Sequence, residues 1–177
     1  MKLLATGFVA AAVLMSGPSP AQEPPPFAPV VTLGGETQVI YPGDSPVEIL
    51  VPEAASGGQF GMAVVYTKPN EGPGKGMLTE QKLTETFYVL EGEHRFFVGD
   101  EVYDGGPGTV VVNPPRVPHG FTYIGTGIGK LLVLYTPVED DDKKGTGFFV
   151  DWANQSTRSP AWIEKTNAAF GIVRAAK

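Results

Sequence analysis

Residues 75–92 read KGMLTEQKLTETFYVLEG, and the second half of this stretch is a strand. From Thr84 the residues are mostly β-branched or aromatic. On an extended chain Glu85, Phe87 and Val89 share one face, and Thr86, Tyr88 and Leu90 share the other. The carboxylate of Glu85 therefore points the same way as two apolar side chains, and Gly92 supplies a turn at the end of the run.

On either side of this stretch the same rhythm repeats. PVVTLGG, TQVIYPGD, VEILVP, FGMAVVYTKP, HRFFVGDEVYD, GTVVVNPP, HGFTYIG and KLLVLYTPV are short β-like runs separated by Gly, Pro and Asn. Glycines 92, 99, 105, 106 and 108 mark turns. The spacing predicts an all-β antiparallel sandwich or barrel. At 177 residues, with 23 Gly and 17 Pro, the chain has room for one such domain and a composition ill suited to a helical bundle.

The net charge of −6, from 13 Lys and Arg against 19 Asp and Glu, leaves no basic patch, so a nucleic-acid partner is not expected. There is no cysteine, which removes disulfides, thiolate ligands and cysteine nucleophiles at once.

The two ends have a different character. Met1 and Lys2 precede the apolar run LLATGFVAAAVLM, with Ser19 and Ala21 placed for cleavage before Gln22. This predicts a signal peptide over residues 1–21 and a secreted or periplasmic protein, off the membrane once cleaved. Residues 22–29 are a proline-rich lead-in, and residues 30–138 hold the barrel. Residues 139–177 form a charged loop and a C-terminal helical tail that packs on the barrel in a structural role. In that tail Ser159 can cap a helix, Pro160 suits its first position and Gly171 its end. Trp162, Ile163, Thr166 and Phe170 form the stripe that would pack. The stretch GTGFFVDWANQSTR before it shows little periodicity, and Asn154 opens a glycosylation triplet.

Two spacings carry a family resemblance. The first is Gly72, Leu78, Glu80, Glu85 and Gly92; the second is Gly108, Pro114 and His119. They resemble the paired motifs of the cupin superfamily, small jelly-roll barrels. In that family the first motif places histidines where this chain has Leu78 and Glu80. Arg116 stands at a glycine of the second motif and Tyr123 at an asparagine. FGMAVVYTKP, ETFYVLEGE, NPPRVPHGF and KLLVLYTP look like strands of the quercetin dioxygenase-like cupins, so the resemblance spans roughly residues 30 to 173. It implies a cupin jelly roll with a short C-terminal helix, and by the family's habit a homodimer.

In the family, three histidines and a glutamate hold Fe, Mn, Ni, Cu or Zn. Only Glu85 and His119 keep their places here, and Leu78 has no donor atom. A divalent metal would have to sit on Glu80, Glu85 and His119. Without it, Glu85 and His119 converge inside the barrel as an acid–base couple. Phe87, Phe121 and Tyr123 fall on the inward face beside them, and Arg116 lies in the loop before His119. These four are the candidate substrate-binding residues for a small apolar, phenolic or enolic molecule. The second histidine, His94, reads as an ordinary strand residue paired near Leu90 across a hairpin. Three functions stay open: a quercetin dioxygenase-like oxidoreductase, a metal-independent lyase or isomerase working through Glu85 and His119, and a non-catalytic binder.

Overall fold

A computed structural model describes residues 27–74, 78–80, 82–137 and 145–174. The expected leader lies outside the described residues, as do most of the lead-in and the acidic loop. Among the described residues no helix is long and apolar enough to cross a membrane.

Among the described residues eleven strands form two facing sheets. The first holds β1 (Gln38–Ile40), β2 (Val47–Val51), β3 (Gly61–Thr67), β5 (Thr84–Glu91), β8 (Val110–Asn113) and β10 (Gly129–Thr136). Its order is β1-β2-β3-β10-β5-β8. The second holds β4 (Leu78–Glu80), β6 (His94–Val98), β7 (Glu101–Gly105), β9 (His119–Tyr123) and β11 (Ile172–Arg174), ordered β11-β4-β9-β6-β7. Two helices, α1 (Thr146–Asn154) and α2 (Pro160–Ala169), lie between β10 and β11.

Alternation decides what fills the space between the sheets. In β5, Phe87 and Val89 are buried while Tyr88 and Leu90 are exposed; in β10, Leu131, Val133 and Tyr135 are buried. With Leu83, Phe96 and Phe121 they make one apolar cluster. The motif glycines mark close approaches. Gly72 has φ +124°, and a Cβ there would stand 2.3 Å from the Phe121 carbonyl oxygen. At Gly92, with φ +79°, a Cβ would meet the Tyr123 ring at 2.5 Å. Only glycine satisfies both the backbone angle and the space.

The sequence reading needs correction at four places. PVVTLGG contains no strand. Gly92 does not turn a hairpin: the chain crosses there from one sheet to the other, and β6 pairs with β7 and β9 instead of β5. His94 therefore faces the interior opposite Tyr123, not Leu90. GTGFFVDWANQSTR, without a helical signal of its own, contains α1. Its N-terminus is held from afar, because the buried Glu53 carboxylate accepts hydrogen bonds from the Thr146 amide and hydroxyl. Finally, the tail ends in a strand: β11 pairs with β4, setting Ile172 opposite Glu80.

α2 matches the expectation. Ser159 accepts a hydrogen bond from the Trp162 amide at 3.2 Å, Pro160 opens the helix, and Gly171 follows it at φ +68°. On the expected stripe Thr166 and Phe170 are buried, and Trp162 and Ile163 are half-buried.

Candidate active site

One cavity of about 290 Å³ opens between the sheets at the end where β5 begins and β9 begins. Glu85 reaches it from β5, His119 from β9, Glu80 from β4 and Tyr135 from β10. The pairing explains the convergence within each sheet. Glu85 lies opposite Tyr135, and Leu78, two residues before Glu80, lies opposite His119.

Glu85 and His119 meet directly. Nε2 of His119 lies 2.7 Å from Oε2 of Glu85, with the histidine side chain 2% exposed and the glutamate 13%. The other ring nitrogen, Nδ1, lies 2.7 Å from the Val117 carbonyl oxygen. That oxygen can only accept, so Nδ1 carries a hydrogen. A single proton then lies between Nε2 and the carboxylate. Burial opposes charge on His119, but the hydrogen bond and charge of Glu85, the Val117 carbonyl and the charge of Glu80 together raise its pKa.

The neighbours of this pair are pushed toward their protonated forms. Burial first, and then repulsion from Glu85, push the Glu80 carboxyl up to about 8, against the pull of His119. Burial also leads in pushing the Tyr135 phenol well above its usual range, helped by the charges of Glu85 and Glu80 and a hydrogen bond to Glu85. Behind Glu85, the fully buried Asn113 donates its amide to the Glu85 backbone carbonyl at 3.1 Å and fixes the strand there. The Glu80 carbonyl accepts the Arg116 amide at 2.7 Å, tying β4 to the loop that delivers His119.

Apart from Asn167, the rest of the cavity is apolar. Val65, Phe87, Phe121 and Val133 line it from the barrel. Phe148, Phe149 and Trp152 of α1 line it from the tail, with Asn167, Phe170 and Ile172 beyond them. These rings brace one another: Phe148 stands 5.0 Å from Trp152 and 5.4 Å from Phe170. The tail is thus a wall of the cavity rather than a prop outside it. Nothing local in its sequence signals this, because the wall forms only when α1, α2 and β11 return to the barrel.

Of the expected substrate-binding residues, Phe87 and Phe121 line the cavity and Tyr123 and Arg116 do not. Tyr123 is buried four residues along β9 from His119, at roughly 13 Å by strand rise, and packs on His94 with ring centroids 5.0 Å apart. Arg116 is exposed in a left-handed turn at φ +71°, where its side chain leaves the barrel.

The four family positions do not make a metal cage here. Leu78 brings no donor atom, and Glu85 and His119 already satisfy each other. Among the described residues, no group of three His, Asp or Glu side chains is arranged to hold a metal ion.

The barrel is matched by a known domain model. Residues 64–135 match the cupin domain family. This segment is similar to a cupin domain. Solved cupin structures share the fold at low identity. An RmlC-like cupin from Shewanella frigidimarina is 19% identical over 64% of this chain and 96% of its own, with a TM-score of 0.53. A protein described as a predicted oxalate decarboxylase from Thermotoga maritima is 18% identical over 61% and 99%, with a TM-score of 0.54. KdgF from Halomonas sp. is 15% identical over 59% and 92%, with a TM-score of 0.51. No curated protein sequence is a significant match. At these identities the likeness establishes the double-sheeted cupin fold and leaves the chemistry to the site.

Proposed function

We propose that this cupin moves a proton on a small, largely apolar carbonyl or enol compound, as a metal-independent isomerase or lyase. The observation that carries the reading is the 2.7 Å bond between His119 Nε2 and Glu85 Oε2 inside an apolar cavity. A dioxygenase-like reading would require a metal on Glu80, Glu85 and His119, and that donor set does not support one.

In the proposed reaction Glu85 takes a proton from the carbon next to a carbonyl, breaking the C–H bond. The electron pair moves to the carbonyl oxygen, which takes the proton of His119 Nε2, and an enol results. Return of a proton to a different carbon completes an isomerisation. In an elimination the enol returns its O–H proton to His119 as the carbonyl re-forms, the bond to a β-substituent breaks with its electron pair, and His119 passes that proton to the departing group. The apolar walls exclude water from the charges that develop, and the neutral Tyr135 phenol can hold Glu85 in place by hydrogen bonding.

The test uses 2-tetralone, a neutral bicyclic ketone, in deuterated buffer after treatment of the protein with a chelator. NMR should show deuterium entering the carbon beside the carbonyl faster with the wild-type protein than without it. Glu85→Gln and His119→Ala should each lower this rate by about 10²-fold or more. A rate abolished by chelation, or one that both variants retain, would overturn the reading. A ligand that binds without any exchange would leave the cupin as a binder.

A further inference from the structure

The tail places one polar group in the cavity that the proton chemistry does not use. Asn167 on α2 lines the cavity and is 7% exposed. Its side-chain amide makes no hydrogen bond with any described residue. An amide offers two N–H donors and a carbonyl acceptor, which a molecule filling the cavity can pair. Groups of this kind persist in folded proteins where a ligand or an ordered water completes them.

The surroundings restrict what that ligand can be. Among the described residues no Lys or Arg lines the cavity, although Glu80 and Glu85 do. The one basic group among the described lining residues, His119, is already bonded to Glu85. A carboxylate or phosphate would therefore meet two carboxyl groups and no free counter-charge from these residues, and a neutral ligand is favoured. Phe148, Trp152 and Phe170 on the tail share the cavity with Phe87 and Phe121 on the barrel, which suits a flat ring.

We propose that Asn167 is the specificity residue of this cavity, hydrogen-bonding the hydroxyl or carbonyl of a neutral, planar ligand whose ring lies among those aromatic side chains. The inference rests on this cavity being the ligand site, as proposed above, but not on any reaction occurring there.

Naphthalene and 2-naphthol test it, because they differ by one hydroxyl. Binding of each is followed by tryptophan fluorescence in the full-length protein and in Asn167→Leu, with Asn167→Ala as a second variant should the first not fold. The wild type should bind 2-naphthol about tenfold more tightly than naphthalene, as one good hydrogen bond to a buried amide allows. Either Asn167 variant should lose that preference while keeping its affinity for naphthalene. Glu85→Gln should keep the preference. The proposal is overturned if neither probe binds the wild type or if the preference survives in the Asn167 variants. It is equally overturned if the preference disappears in Glu85→Gln, since the acid–base pair would then be the reader. Failure of the tetralone exchange alone would remove the proposed reaction and leave this assignment standing.

Discussion

Oε2 of Glu53 accepts a hydrogen bond of 2.5 Å from the Thr146 hydroxyl, joining residues 93 positions apart. The same carboxylate accepts the Thr146 backbone amide, so it serves as the N-terminal cap of α1. Gly61 and Gly145 leave room for it, since a Cβ at either would collide with Glu53 Oε1. Glu53→Ala removes the cap and leaves the amide and hydroxyl of Thr146 unpaired in a buried place. A loss of about 2–3 kcal/mol is expected, with Glu53→Gln losing less. Urea melts of the two variants measure it, and equal stability of Glu53→Ala and wild type would remove the anchoring role.

His94 makes stability depend on pH. Its side chain is 0% exposed, with Nε2 3.1 Å from the Thr67 hydroxyl and Nδ1 without a partner among the described residues. Burial lowers its pKa from 6.5 to about 4. Between those values the unfolded chain holds a proton at this position that the folded chain does not. This contribution to stability is whole above pH 6.5 and falls as the pH drops toward 4, by about 3 kcal/mol at most. His94→Phe, which keeps a ring beside Phe96, Phe121 and Tyr123, should flatten that part of the profile. Denaturant midpoints at pH 7 and pH 4.5 decide, and an unchanged slope in the variant would refute it.

Arg116 occupies a glycine's conformation. At φ +71° a residue with a Cβ is strained, and its exposed side chain has nothing to gain from burial. Arg116→Gly should melt at the same temperature as the wild type or slightly higher, while Arg116→Val should cost about 1–2 kcal/mol because branching at Cβ worsens the clash. Thermal melts of the pair would show the opposite order if backbone strain were not the controlling factor.

Gly72→Ala should be worse than either. The new methyl meets a backbone oxygen, that of Phe121, and backbone cannot swing aside as a side-chain tip can. A cost of about 2–3 kcal/mol is expected, together with weaker binding of naphthalene, because Phe121 lines the cavity. Melting and the fluorescence titration report the two effects separately.

The barrel was legible because its signals are local. Alternation in TETFYVLE and the glycines at 72 and 92 depend on neighbours a few residues away, and so does the Ser159 cap of α2. The Glu85–His119 meeting was legible through the motif spacing rather than through either residue alone. What escaped depends on distant contacts. α1 takes its cap from Glu53, β11 takes its strand geometry from β4, and Asn167 gains its place only when both are docked. Tyr123 was misplaced for a simpler reason: alternation tells which face a residue is on, not how far along the barrel axis it lies.

The cavity's walls have a consequence for the order in which the protein is made. Phe148, Trp152, Asn167, Phe170 and Ile172 are all delivered after the last barrel strand of the first sheet. A nascent chain emerging to residue 137 would already hold Glu85 and His119, yet its cleft would gape into water on one side. The proposed ligand binding therefore waits for α1, α2 and β11, and its appearance during synthesis would time their docking.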